Sequence, residues 1–231
     1  PGVMALPVNN WSDFIKVLKQ LRTPEAKAQF ETIVIDTADI AYDYCEQYIC
    51  DVNNVNAISE IPFGGGYSAA GKEFDSKLRQ IVQDDYGLVL ISHAVDKVFT
   101  DENGKEHNKI IPTLGSKPRL ICSRLCDIIG YSRAIEVEEG TKTVLFMRGT
   151  PRFEAGSRFK HTPSHIDFNY ESLVKAIGDA IDKQALEDGR KDLVSNDREN
   201  LYKKNEMVDF DALVAEFNRI TTNLMEKDAQ Y

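Results

Sequence analysis

The stretch that most limits what this chain can become is Glu31–Tyr42, ETIVIDTADIAY. Thr32, Ile33, Val34 and Ile35 are all β-branched, as strands favour, and they run directly into Asp36 and Thr37 before a helix-like pattern begins. A buried strand that delivers an acid at its carboxyl end puts that acid in the crevice where α/β sheets bind ligands, in reach of a metal-bound water. The competing reading is a core strand that simply ends in an acid. The order of the segments downstream favours the first.

Length and composition set the outer bounds. A chain of 231 residues holds one large α/β domain, or one domain with a helical appendage. Hydrophobic residues at 42% and charged residues at 28% are ordinary for a globular protein. The longest apolar runs, such as Ile33–Ile35 and Leu88–Ile91, are too short to span a membrane, so no membrane partner is expected. The first residues lack the basic and apolar regions of a secretory signal, and four cysteines are too few for a disulfide scaffold, which points to the cytoplasm. A net charge of −9 argues against wholesale coating of nucleic acid, but leaves room for a local basic patch.

Along the chain, Val3–Val8 reads as a short strand. Asn10 is placed to cap a helix over Trp11–Leu21, in which Trp11, Phe14, Ile15, Leu18 and Leu21 recur at helical spacing and Trp11 is a core anchor. Thr23–Gln29 reads as a polar linker into the first strong strand. Ala38–Cys50 follows as a helix with Ile40, Tyr44, Tyr48 and Ile49 on its apolar face, then a loop over Asp51–Gly66. Ser68–Val82 is a second helix, with Phe74, Leu78 and Ile81 on one side. GLVLIS, Gly87–Ser92, is a continuous apolar run and predicts a strand buried on both faces, as parallel sheets require.

Val95–Pro112 alternates on both sides of Asp101-Glu102-Asn103-Gly104, a strong hairpin signal. A helix over Ser116–Cys126 and strands over Ile128–Val137 and Thr143–Arg148, joined by a turn at Glu139-Gly140, come next. A loop over Gly149–Pro163 leads to a helix over Tyr170–Leu186 with Leu173, Val174, Ile177 and Ile181 inward. The alternation of strands and helices up to residue 126 implies a parallel sheet with crossover helices. Residues 187–206 read as a charged linker and 207–231 as a carboxyl-terminal amphipathic helix, which packs on the parent domain or on a partner.

Gly66-Tyr67-Ser68-Ala69-Ala70-Gly71-Lys72 satisfies G-x-x-x-x-G-K, the phosphate-cradling pattern. Its context argues against that role. Glu73 stands where a magnesium-binding hydroxyl belongs, and Ser59–Phe63 is no buried strand. The segment therefore reads as a loop entering a helix. His93, just beyond the second apolar strand, is placed to sense a phosphate or orient a water; its alternative role is a histidine satisfied by nearby backbone. The spacings of Cys122 with Cys126 and of His161 with His165 do not make a zinc knuckle. Arg148, Arg152, Arg158 and Lys160 crowd a glycine-containing loop suited either to phosphate contact or to solvent. Lys97, Lys105, Lys109, Lys117 and Arg119 gather around the hairpin, the best candidate to touch DNA or RNA.

Taken in order, TIVIDTAD, GGGYSAAGKEF, GLVLISHAVDKVF, NKIIPTLGSKPRLICSRLCDIIGYS, FMRGTPRFEAGSRF and YESLVKAIGDAI resemble the phage nucleotide-binding proteins of the AAA/RecA-like P-loop class, some described as single-strand annealing recombinases. The resemblance covers residues 1–183. It implies an α/β fold: a RecA-like, mainly parallel sheet flanked by helices over residues 1–186, with added antiparallel hairpins and a carboxyl-terminal helical extension. It implies ATP and Mg²⁺ as cofactors, with Asp36 as the acid that holds magnesium through water and Thr37 beside it. His93 becomes the polar sensor, and Arg148 and Arg158 contact nucleotide, Arg158 that of a neighbouring subunit. The hairpin carrying Lys97, Lys105 and Lys109, with Lys117 and Arg119, becomes the binding element for single-stranded DNA.

The family's phosphate loop lies upstream of the part that matches Val3 onward. The expectation is therefore an ATPase of phage DNA recombination or annealing that self-associates and works with phage or host recombination proteins in the host cytoplasm. On this reading the residues given, without that loop, are inactive alone. The alternative is a non-enzymatic RecA-like module, an adaptor or inhibitor acting through protein contacts; a helicase-loader or motor fragment is a weaker third.

Overall fold

The first helix forms where the sequence supplies a cap. In the computed structural model, the Asn10 side chain accepts the Asp13 amide at 2.8 Å, and α1 (Trp11–Leu21) buries Trp11, Phe14 and Leu18. The segment expected to be a linker is a short helix, α2 (Pro24–Gln29). Thr23 caps it by accepting the Ala26 amide, and Pro24 sits at the first position, where a missing N–H costs nothing.

The structure describes residues 3–138 and 140–189. The helix expected over 207–231 and all but the first three residues of the linker expected over 187–206 lie outside them, as does Glu139 of the expected turn. The chain divides into two compact units, Pro1–Ala180 and Ile181–Tyr231. Of the second, residues 181–189 are described. They include the end of helix α6 (Tyr170–Glu187), beyond which Gln184 Nε2 donates to Asp188 Oδ1 at 3.0 Å.

Within the first unit, β1 (Thr32–Asp36) leads into α3 (Ala38–Asn53), which stops where Asn54 turns left-handed at φ 53°. Two short 3₁₀ turns precede α4 (Gly65–Gln83) and β2 (Gly87–Ile91). The expected hairpin is present as β3 (Ala94–Thr100) and β4 (Glu106–Pro112), paired antiparallel from Ala94↔Pro112 to Thr100↔Glu106. Then come α5 (Ser116–Leu125), β5 (Ile128–Ile129), β6 (Tyr131–Val137), β7 (Gly140–Phe146), β8 (Gly156–Ser157) and β9 (His165–Asp167).

The core is centred on Trp11, Phe14, Tyr42, Phe74 and Leu78, carried by α1, α3 and α4. Phe74 lies 5.8 Å from the Trp11 ring and meets Tyr42 edge-on at 5.1 Å. Ile33, Ile35, Leu88 and Leu90 join this cluster from β1 and β2.

The molecule is mixed α/β, but parallel pairing among the named strands is confined to β1 and β2, in register from Thr32↔Gly87 to Asp36↔Ile91. The other three sheets are antiparallel, so the broad parallel sheet expected from the alternating pattern does not form among the described residues. Nor is β2 buried on both faces. Among the described residues helices cover one face only, and Val34, Val89 and Ile91 on the other are exposed by 54%, 45% and 42%. Val3–Val8 is not a strand; among the described residues no strand pairs with it, and Val3, Met4 and Leu6 are exposed. The expected apolar faces also shift. In α3 the buried set is Ala38, Tyr42, Cys45, Ile49 and Cys50, with Ile40 exposed. In α6 the small residues Ala176 and Ala180 are buried and Val174 is exposed. Among the described residues no helix is long and apolar enough to cross a membrane.

Candidate functional site

In-register parallel pairing brings the ends of β1 and β2 together, so Asp36 lies opposite Ile91, with Ser92 and His93 just beyond. The chain turns into α3 at Thr37, which places Asp39 in the first turn of that helix. Asp39 and His93, 54 residues apart in sequence, meet here: His93 Nδ1 is 3.0 Å from Asp39 Oδ2. The Thr113 hydroxyl, just past β4, donates to the same oxygen at 2.7 Å. Ser92 Oγ donates to the His93 carbonyl at 3.0 Å, and the Thr113 amide donates to that carbonyl at 2.9 Å.

Burial pushes the Asp39 carboxyl up. The hydroxyls of Thr37 and Thr113, the His93 ring and its own amide outweigh that and hold its pKa at about 2. The Thr37 hydroxyl acts on the carboxylate by proximity, since Thr37 Oγ1 and Asp39 Oδ1 are both buried without a hydrogen bond of good geometry. Asp36 is exposed and has no ion-pair partner among the described residues.

Beside this cluster a cavity of about 210 Å³ opens, with Ser92, His93, Arg119, Tyr131 and Glu154 among its lining. That is below the ~300–1,000 Å³ of ordinary ligand pockets, too small to enclose a nucleotide-sized ligand.

The structure draws together Asp36, Thr37 and His93 of the residues named from sequence, and adds Asp39, Ser92 and Thr113. Asp39 was visible in the sequence as the second acid of Asp36-Thr37-Ala38-Asp39, on the first turn of a helix that follows the strand. Nothing local marks Thr113, which arrives through the hairpin.

Of the remaining candidates, Arg148, Arg158, Lys109 and Arg119 have local partners. Arg148 donates to the carbonyls of Phe159 at 2.7 Å and Lys160 at 2.6 Å, with longer contacts to those of Thr162 and Ser157. Arg158 pairs with Asp127 at 3.1 Å and donates to the Arg124 carbonyl. Lys109 and Arg119 both approach Glu154, at 3.8 and 4.0 Å. Lys117 is exposed, and its stem lies over Gly71, where a Cβ would come within 2.5 Å of Lys117 Cε. Lys97 and Lys105 are exposed on the hairpin, with the Lys97 ammonium 6.0 Å from the Phe99 ring centre.

The G-x-x-x-x-G-K match lies inside α4. Its later amides serve the helix, and its first turn is covered by Ile58, whose carbonyl oxygen a Cβ on Gly66 would meet at 2.6 Å. The segment has the geometry of a helix and not of a loop.

These features agree with what the chain resembles. A family model described as an AAA domain matches residues 3–159. The SPbeta prophage-derived uncharacterized protein YorG of Bacillus subtilis (strain 168) is 27% identical over 238 residues, which cover 98% of this chain and 69% of that protein. No solved structure matches the chain. With the match running through the strands, the hairpin and the cluster at Asp36 and His93, this chain belongs to the AAA-domain family.

Proposed function

We propose that the chain is a nucleotide-binding protein of ATPase type, encoded by a phage or prophage, with Mg-ATP lying across the carboxyl ends of β1 and β2. The observation that carries this is the juxtaposition of an exposed Asp36, without an ion-pair partner among the described residues, with the Asp39–His93–Thr113 cluster at the end of the parallel pair β1–β2. The residues that would hold a hydrated magnesium ion through water are Asp36, without an ion-pair partner among the described residues, and the buried Thr37 hydroxyl, which lies near the Asp39 carboxylate without a hydrogen bond of good geometry. When bound, magnesium neutralises phosphate charge and orients its waters. Asp36 would accept a hydrogen bond from such a water, and His93 would offer a ring nitrogen to phosphate or to an attacking water. Arg148 and Arg158 are engaged elsewhere and play no part in this reading.

The test is calorimetric titration of the protein with Mg-ATP, alongside Asp36→Ala and Lys72→Ala. The expected result is magnesium-dependent binding that Asp36→Ala weakens by about tenfold or more and Lys72→Ala leaves unchanged. Equal binding by Asp36→Ala, or no binding by the wild-type chain, overturns the reading.

We further propose a role in DNA recombination or single-strand annealing, which the chemistry of the hairpin supports. Phe99 and His107 are cross-strand partners with rings stacked at 6.2 Å, and the Lys97 ammonium stands near Phe99. Aromatic rings beside a cation suit the bases and backbone of single-stranded DNA. The hairpin also carries four acids against three lysines, so stacking and not bulk charge has to supply the affinity. Fluorescence anisotropy with a labelled oligonucleotide tests this: Phe99→Ala is expected to weaken binding by about 1–3 kcal/mol, and unchanged binding sinks it.

A further inference from the structure

We infer that Asp39 is a positioning residue: one carboxylate oxygen fixes the tautomer of His93 and holds both ends of the β3–β4 hairpin to the start of α3. His93 is the residue before Ala94, where β3 begins, and Thr113 the residue after Pro112, where β4 ends; Ala94 and Pro112 are the first pair of the hairpin. Asp39 Oδ2 takes a contact from each of them, at 3.0 and 2.7 Å.

The proton positions follow from the chemistry of the groups. An ionised carboxylate only accepts, and an aspartate that takes the Thr113 hydroxyl and faces the His93 ring is ionised near neutral pH. The His93 nitrogen facing it, Nδ1, must therefore carry the proton, which leaves Nε2 as the ring nitrogen available to a ligand. Thr113 has one hydroxyl proton, and the 2.7 Å contact to Asp39 takes it in preference to the 3.3 Å approach to the His93 carbonyl. That carbonyl is served instead by the Thr113 amide and the Ser92 hydroxyl. Each proton in the joint then has one assigned acceptor.

Asp39 stands three residues from Asp36. A ligand that shifts Asp39 or His93 therefore alters the base of the hairpin, and by linkage whatever the hairpin holds alters that ligand's affinity by the same factor. This functional consequence rests on the nucleotide reading above. The clamp itself does not, and it is measured without nucleotide.

The experiment is nitrogen-15 NMR of the His93 imidazole near neutral pH, with amide hydrogen exchange, on the wild-type chain, Asp39→Ala, Asp39→Asn and Thr113→Val. The wild type is expected to show the Nδ1–H tautomer. Asp39→Ala is expected to release the ring to the mixture of a free imidazole and to speed exchange of the Thr113 amide by ~10-fold or more, with α1 and α4 amides unchanged. Asp39→Asn, whose side-chain carbonyl still accepts, should restore the Nδ1–H form. Thr113→Val should leave the tautomer in place and loosen only the hairpin base, which keeps the test open if Asp39→Ala does not fold. An Nε2–H tautomer in the wild type, or a tautomer and Thr113 exchange indifferent to Asp39→Ala, overturns the inference. Failure of Mg-ATP binding leaves these readouts untouched, so the two ideas fail separately.

Discussion

The indole N–H of Trp11 donates to Glu73 Oε1 at 3.1 Å, joining α1 to α4 across 62 residues of sequence. Trp11 is 1% exposed, so its polar edge needs a partner inside the protein. The acid that spoils Gly66–Lys72 as a phosphate loop is the acid that completes the core anchor. Truncating Trp11→Ala should cost about 3–5 kcal/mol in urea denaturation. Glu73→Leu should cost about 1–3 kcal/mol by leaving the indole N–H unpaired, while Glu73→Gln keeps an acceptor and should cost less.

Acid should loosen the strand-end cluster. The Asp39 carboxyl is held at about 2, below its ordinary 3.8, so its contribution to stability is complete above that ordinary value and is lost as pH falls toward 2. Thermal melts across that window should fall more steeply for the wild type than for Asp39→Asn, which begins less stable at neutral pH and has no carboxylate to titrate there. Parallel acid profiles would show that Asp39 is not coupled to folding.

Cys45, Cys50 and Cys122 are buried, and all four cysteines are free thiols. Burial pushes the Cys45 and Cys122 thiols up to about 12, and Cys45 Sγ faces the Ala70 carbonyl at 3.5 Å. Thiolate is the reactive form, so these sites should resist a disulfide reagent at mildly alkaline pH and react promptly in denaturant. Mass mapping of the modified native protein checks which thiols respond; fast labelling of Cys45 would contradict the buried geometry.

Arg148 holds the loop from Ser157 to Thr162 by its backbone carbonyls. Arg148→Ala should destabilise the protein by about 2–3 kcal/mol and open that loop to protease, because charged donors to several carbonyls are lost at once. Arg148→Lys should rescue little, since an ammonium lacks the planar fork that reaches separate acceptors. A fully stable, protease-resistant Arg148→Ala would return this arginine to the list of ligand contacts.

Phe63 sits fully exposed between Pro62 and Gly64 with φ at 55°, left-handed backbone that suits asparagine or glycine. Phe63→Asn should raise stability by about 0.5–1 kcal/mol in the same denaturation assay. A loss of stability would mean the ring packs on something after all.

Local chemistry made much of this molecule legible in advance. The Asn10 cap and the spacing of Trp11, Phe14 and Leu18 specify α1. The turn at Asp101–Gly104 specifies the hairpin, because alternation and turn preference act over a few residues. Thr23-Pro24 carried an equally local start signal, yet Pro24–Gln29 has no buried residue, and without an apolar stripe the segment reads as a linker. In α6 the apolar count favoured Val174, but a face defined by Ala176 and Ala180 allows closer approach than bulkier side chains do.

The sequence by itself determined the strand that ends in Asp36, the helix that follows it and the place of His93 after the next strand. Each rests on a period or a boundary within one segment. Only the tertiary structure decided that Asp39, His93 and Thr113 share one carboxylate oxygen, that Glu73 answers Trp11, and that the strand pair is covered on one face alone. Those relationships join residues from 20 to 74 positions apart, and a hydrogen bond or a buried face between distant segments is set by how the elements dock.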